Sequence, residues 1–259
     1  MRMMNKNTFL VGLLCVFLSA CSTTKNLPEG EILYTGIDKL EVVNEDKTLA
    51  GVTALTEVEA ALAYAPNNAI LGSSSLRWPI PFGLWVYNGF EKYQDKKGVG
   101  RWIFDHLGKS PVLMSSVNGE TRAKVATNLL RDYGYFNGSV SYQEVPQKNP
   151  KEAKVSYVID MAQPYFLDSI AYLRYPHYAD SLIRSTQSQS VLKSGENFSV
   201  LKLEEERQRL SSLFRNHGYY YYRPEFTTYR ADTLQKPGYV SLQVVPRNGV
   251  PAEARKQYY

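Results

Sequence analysis

The chain is predicted to be an α+β protein built twice on one plan, strand, helix, helix, strand, strand, with a small mixed sheet under two helices. Three observations predict it. Its 259 residues suffice for about two ordinary domains. A shift of 84 residues lays Leu129-Leu130-Arg131-Asp132-Tyr133-Gly134-Tyr135-Phe136 onto Leu213-Phe214-Arg215-Asn216-His217-Gly218-Tyr219-Tyr220. In both copies this stretch ends an amphipathic helical pattern at a glycine and opens onto two extended segments joined by a proline-containing turn. The composition agrees, since 44% hydrophobic residues with 20 Tyr and 10 Phe exclude a disordered chain.

In the first copy, Leu33 to Val43 reads as the opening strand, and Thr56 to Ala63 as a helix with Thr56 as its cap. An insertion follows at 66–112. Val125, Ala126, Leu129, Leu130 and Tyr133 then recur three and four residues apart, the signature of a helix with one buried face. Gly134 stands where a left-handed residue would stop that helix. Ser139 to Val145 and Lys154 to Asp160 read as strands across the turn Pro146 to Pro150. In the second copy, Tyr165 to Leu173 is the opening strand and Asp180 to Thr186 begins a helix. The turn Leu192-Lys193-Ser194-Gly195-Glu196-Asn197-Phe198 leads to Ser199 as N-cap of a helix carrying Leu203, Leu210, Leu213 and Phe214. Gly218 stops it, and strands Pro224 to Arg230 and Tyr239 to Val245 follow across Lys236-Pro237-Gly238.

The amino terminus indicates the compartment. Arg2, Lys6 and the apolar run Phe9 to Leu18 form the charged and hydrophobic regions of a secretory signal, a run too short to span a bilayer as a mature helix. Leu18-Ser19-Ala20-Cys21 resembles the processing box of bacterial lipoproteins. The resemblance implies cleavage before Cys21, a diacylglycerol on its thiol and an acylated, for example palmitoylated, amino terminus. Several acyl chains anchor stably where one would be marginal. Cys15 leaves with the signal, so no disulfide is expected. Ser22, Thr23 and Thr24 supply no retention or surface-export signal, so the expected location is the periplasmic side of the outer membrane. The spans are a signal peptide over 1–20, an anchor linker over 21–30, a first unit over 31–162 with its insertion at 66–112, a second unit over 163–247, and a tail or start of a further repeat over 248–259.

The element order, the Leu192 to Phe198 turn, the helix bearing Leu203, Arg207, Leu210 and Phe214, and the Gly218-Tyr219 stop together resemble a polypeptide-transport-associated (POTRA) domain. Such domains form the periplasmic arm of outer-membrane assembly factors of the BamA/TamA superfamily. The insertion's Pro66 to Gly72 and Leu107 to Val112 resemble the lipidated TamA-like proteins of Bacteroidetes-type bacteria. The family continues into a β-barrel, whereas only fourteen residues follow Val245, fewer than two spanning strands need. Arg255 to Tyr259 falls where a third repeat's first strand would begin. The chain thus reads as a barrel protein's front part or as a module whose barrel is encoded separately.

The resemblance implies a non-enzymatic module that binds unfolded outer-membrane proteins or a β-barrel partner. In this family the strand equivalent to Ser139–Val145 and Pro224–Arg230 lies at a sheet edge, where unpaired backbone groups accept an extended segment. Val140, Tyr142, Phe226 and Thr228 are the candidate residues on those edges, and Pro224 fits an edge position. The three tryptophans, Trp78, Trp85 and Trp102, all fall in the insertion. They form either a face for lipid headgroups or a partner, or a satellite core under a long loop. Tyr219 to Tyr222 reads as strand packing with exposed hydroxyls, and Glu204-Glu205-Glu206 as a solvent-facing run near a helix start.

Other chemistries find little support. Lys and Arg exceed Asp and Glu by 30 to 25, or 28 to 25 once Arg2 and Lys6 leave, with no basic run suited to nucleic acid. His106, His177 and His217 lack metal-ligand spacing, and Gly98-Val99-Gly100 lacks the third glycine of a dinucleotide loop. No metal, cofactor or small-molecule substrate is therefore expected. The alternative function is a stand-alone periplasmic lipoprotein that scaffolds an envelope complex, and a cell-wall hydrolase is a more distant third.

Overall fold

The structure is a computed structural model that describes residues 23–258. The signal segment, Cys15 and Cys21 lie outside the described residues. The chain divides into two compact units, the first comprising residues up to Glu41, Ala61–Ala123 and Ser141–Val158. The second comprises Val42–Ala60, Lys124–Val140 and Ile159–Tyr259.

The first copy of the predicted plan holds β1 (Leu33–Val43), α1 (Leu49–Leu62), α2 (Phe82–Phe90), α3 (Val99–Leu107), α4 (Gly119–Asp132), β2 (Ser139–Pro146) and β3 (Glu152–Asp160). The second holds β4 (Phe166–Tyr172), α5 (His177–Ser185), α6 (Val200–Asn216), β5 (Thr227–Asp232) and β6 (Tyr239–Pro246). Each copy forms one three-stranded sheet whose last strand is central, in the orders β1-β3-β2 and β4-β6-β5. Both sheets are mixed. Leu33 N–H donates to Lys151 O and Met161 N–H to Val43 O, a constant offset that makes β1 and β3 parallel. β2 and β3 form a hairpin closed by Gln147 N–H to Glu152 O. β4 runs parallel to β6, and β5 antiparallel to it, with Thr227 opposite Pro246 and Asp232 opposite Ser241.

The central strands alternate as half-buried strands should. Ala153, Val155, Tyr157 and Ile159 are buried along β3, and Val240, Leu242 and Val244 along β6. The core under β6 collects Leu167 of β4, Ala179 and Ile183 of α5, and Leu210 and Phe214 of α6, apolar positions spaced three to four apart on each helix. Ser199 caps α6 as predicted, its hydroxyl accepting from Lys202 N–H.

Several boundaries differ from expectation. α1 starts at Leu49, with Thr48 Oγ1 accepting from Gly51 N–H at 3.1 Å. Thr56 is inside the helix and donates its hydroxyl to Val52 O. The first turn carries no helical periodicity in the sequence, because Leu49 and Val52 are exposed and lie off the buried stripe Ala54, Val58 and Leu62. Pro224–Phe226 is a 3₁₀ turn rather than strand, since its N–H-to-O bonds close on the turn itself. Tyr219 to Tyr222 is likewise a turn, with Tyr219 and Tyr222 in the core and Tyr220 and Tyr221 exposed. Glu206 is fully buried, contrary to a solvent-facing run, and is met by Arg209 (2.6 and 2.9 Å) and by the Tyr172 hydroxyl (2.7 Å).

Gly134 and Gly218 carry out the predicted stop, at φ +91° and +92°. Both serve a second purpose within the second unit. Gly134 O accepts from Tyr165 N–H, and Gly218 O from Tyr258 N–H, each at 2.9 Å. A Cβ would stand 2.7 Å from Phe198 O at the first glycine and 2.6 Å from Tyr258 O at the second. The tail therefore meets the second stop as Tyr165 meets the first, after a helical turn at Ala252–Arg255.

Candidate partner-binding sheet edges

Each sheet has two edges, and the chain covers one of them with its own backbone. Along β1, Tyr34 N–H donates to Val112 O and Met114 N–H to Ile32 O, both at 2.8 Å, so residues 112–114 lie against its outer side. Arg77 extends that cover by donating to Thr35 O and Ile37 O. Its guanidinium sits where a Cβ on Gly36 would be, 2.2 Å away, and Gly36 is at φ +119°. Along β4, Gly195 N–H donates to Leu167 O at 2.7 Å, while Leu167 N–H donates to Glu196 O and Phe198 N–H to Tyr165 O, both at 2.8 Å. The Ser194 hydroxyl donates to Asp168 O. The Leu192 to Phe198 turn, visible in the sequence as a motif, thus serves as an edge cover.

The other edges, β2 and β5, pair with no strand on their outer sides among the described residues. Register decides which backbone groups point outward. Arg247 N–H donates to Phe226 O at 2.7 Å, so Phe226 faces β6, and alternation then turns Thr228, Arg230 and Asp232 to β6 as well. Tyr229 and Ala231 point their N–H and C=O away from it. By the same alternation from Gln147, Tyr142 and Glu144 present the outward groups of β2.

Of the four predicted edge residues, Tyr142 is on β2 and partly exposed. Val140 is also on β2, but its N–H is taken by Thr127 Oγ1 at 2.9 Å. Phe226 precedes β5, its carbonyl engaged by Arg247 and its ring edge-on to Tyr222. Thr228 is in β5 opposite Val245, with its backbone turned inward. Pairing sense, which no residue pattern encodes, separates Thr228 from Tyr229. The Tyr229 ring is tied down by its hydroxyl, which donates to Leu203 O at 2.6 Å, and Arg207 stacks on it. Beside the start of β5, Glu204, Arg207, Gln208 and Arg247 line a polar hollow.

No protein-family model matches the chain, and no curated protein does. Solved structures do. BamA POTRA3-5 of Haemophilus influenzae aligns at 10% identity over 86% of this chain and 100% of its own, with a TM-score of 0.33. POTRA1-2 of the periplasmic domain of Omp85 from Anabaena aligns at 15% identity over 84% and 96%, with a TM-score of 0.32. BamA of Haemophilus ducreyi lacking POTRA domains 1-3 aligns at 11% identity, TM-score 0.34; this chain covers 26% of it, by 62% of its own length. At these scores the alignments carry no argument, and the α+β assignment stands on the two sheets and their helices.

Burial shapes the electrostatics around both sheets. The Tyr34 and Tyr172 phenols are each pushed up to about 12, chiefly by desolvation. Asp46 is held below the ordinary carboxylate range. Desolvation pushes it up, but hydrogen bonds from the Tyr135 hydroxyl and from Thr48 outweigh that. Among the described residues no three His, Cys, Asp or Glu side chains group as metal ligands, and no helix is long and apolar enough to cross a membrane.

The insertion is structured, with α2 and α3 joined by a 3₁₀ turn at Glu91–Tyr93 and packed through Tyr87 on Phe104 at 5.2 Å. Trp85 is half-buried there, whereas Trp78 and Trp102 are 62% and 56% exposed.

Proposed function

We propose that this chain is a lipid-anchored periplasmic module of the POTRA type, related to the lipidated TamA-like proteins. It assists assembly or translocation of outer-membrane β-barrel proteins by taking extended client or partner segments onto β2 and β5. Its two POTRA-like units are 31–162 and 163–247, and Cys21 carries the anchor on the periplasmic side of the outer membrane. The observation that carries this reading is the asymmetry of the edges. β1 and β4 are covered by the chain's own backbone, whereas among the described residues no strand pairs with the outer side of β2 or β5, where Val140 N–H alone is taken, by the Thr127 hydroxyl. An uncovered edge is an aggregation hazard that a fold ordinarily blunts, so covering one edge and leaving its counterpart open, twice, suits a surface that pairs with another chain. Backbone pairing tolerates many client sequences. The module works by binding and does no covalent chemistry.

The test is cross-linking of barrel precursors to photoreactive residues at Arg230, exposed on β5, and at Gln143, exposed on β2. Ala231→Pro removes an outward N–H and leaves the β6-facing groups of Arg230 and Asp232 in place; Glu144→Pro does the same on β2. A several-fold loss of precursor adducts in Ala231→Pro, with the far-UV circular dichroism of the parent, is the expected result. Unchanged adducts in both variants would remove edge pairing from the reading. Recovery of one or two partners at constant ratio, without precursors, would favour the scaffold alternative.

A further inference from the structure

The insertion's exposed apolar surface and its tie to the chain's start point to one occupant. Eight large apolar side chains between Leu71 and Leu107 are exposed, among them Leu76, Trp78, Phe82, Val99 and Trp102. Two indoles and a phenyl group are among them, and exposed apolar side chains that gather in one segment mark an interaction surface. On α3 they form a stripe, Val99, Trp102 and the His106 ring stacked on Trp102 at 4.9 Å, with Phe104 turned toward Tyr87. The same segment, 66–112, is basic, with six Lys and Arg against three Asp and Glu. Lys92 and Lys96 flank the Tyr93 ring at 5.1 and 5.4 Å.

The second observation is a clamp. Asn88, buried in α2, donates to Thr23 O at 3.2 Å, and Asn26 donates to Asn88 O at 3.2 Å. The first described residues are thereby fixed to the insertion. Cys21 is two residues before Thr23, within about 7 Å of it by the reach of an extended chain. On the reading of Cys21 as lipidated, its acyl chains enter the bilayer within that reach of Thr23, which sets α2 beside the membrane surface.

We infer that the segment from Leu71 to Leu107 is a membrane-docking platform, lying on the anionic phospholipid surface with Trp78 and Trp102 among the headgroups and the lysines on lipid phosphates. This goes beyond edge pairing and rests on the reading of Cys21 as lipidated. It would give the anchor a second attachment and fix how the first unit stands on the membrane, where a lipid on a free linker would let it swing.

The test separates the two readings by using the mature chain with Cys21→Ser, which carries no lipid. It is floated with vesicles of phosphatidylethanolamine and phosphatidylglycerol, and with vesicles of phosphatidylcholine alone. Partition onto the anionic vesicles is expected, with quenching of tryptophan emission by brominated acyl chains and a fall of about fivefold for each of Trp78→Ser and Trp102→Ser. Leu234→Ser, which removes an apolar side chain 92% exposed in the second unit, should bind like the parent. Absence of flotation, equal binding to both vesicle types, or an equal fall in Leu234→Ser would overturn the platform. Lipidation is read independently, by the acyl mass on Cys21 of the membrane-extracted protein.

Discussion

At the scale of single residues, Glu206 shows how little a local charge pattern says about its surroundings. Three successive glutamates near a helix start suggest a solvated run, yet the third is enclosed by Arg209, Tyr172 and Val191 N–H. Glu204, two residues earlier, fits the expectation of exposure and pairs with Arg207 at the surface. Removing one member of a buried pair leaves the other charged and without compensation, whereas an exposed pair contributes little. Glu206→Gln should therefore lower unfolding stability by about 3 kcal/mol, seen as a shift in the urea midpoint without a change of slope. Arg184→Gln, which breaks the exposed Arg184–Asp180 pair, should shift it by less than about 1 kcal/mol. Similar shifts for the two would mean that the buried Glu206–Arg209 pair contributes no more than an exposed one.

At the scale of elements, the glycine stops were legible because a left-handed residue after an apolar helical pattern has few occupants. Their second role, as the close approach of another backbone, was not. Gly195 and Gly218 separate the two effects, since both have φ near +90° but a Cβ at Gly195 meets nothing within 4 Å. Gly195→Ala should cost about 1 kcal/mol for the backbone conformation alone. Gly218→Ala adds contact with Tyr258 O and should cost at least twice that, in the same denaturant measurement. The strands were placed to within two or three residues by alternation and turn residues, apart from Pro224 to Phe226. Edge position and outward register came only with the pairing, which is why Tyr229 and Ala231 replace Phe226 and Thr228 as the groups to test.

At the scale of the whole molecule, the stock of buried tyrosine makes the fold sensitive to alkali. Tyr34 in the first unit and Tyr172 in the second both stand at about 12, above the ordinary value of 10.0. A phenol whose value is raised by folding supports the folded state fully below about pH 10, and that support is lost as pH climbs through the folded value. Tyr135, Tyr175 and Tyr229 are raised further, again mainly by burial. Helical circular dichroism and phenolate absorbance should therefore change together between about pH 10 and 12. Tyr34→Phe combined with Tyr172→Phe should move that transition upward. Phenolate appearing well before structure is lost would show that these rings reach water in the folded protein.

The sequence by itself determined the α+β class, the duplicated order of elements, the helix stops and the placement of all three tryptophans in the insertion. Each is a local matter of periodicity, propensity or left-handed backbone, repeated at a fixed spacing. Tertiary structure alone decided that β1 and β4 are covered while no described strand pairs with the outer sides of β2 and β5, that Glu206 is buried, and that Asn88 fastens Thr23 to α2. These depend on which distant segments meet: residues 112–114 on β1, 194–198 on β4, Thr23 on Asn88. The strand covers are hydrogen bonds between backbones, which carry no side-chain signature, and the Asn88 clamp joins a side-chain amide to a carbonyl 65 residues away, so no local pattern announces either.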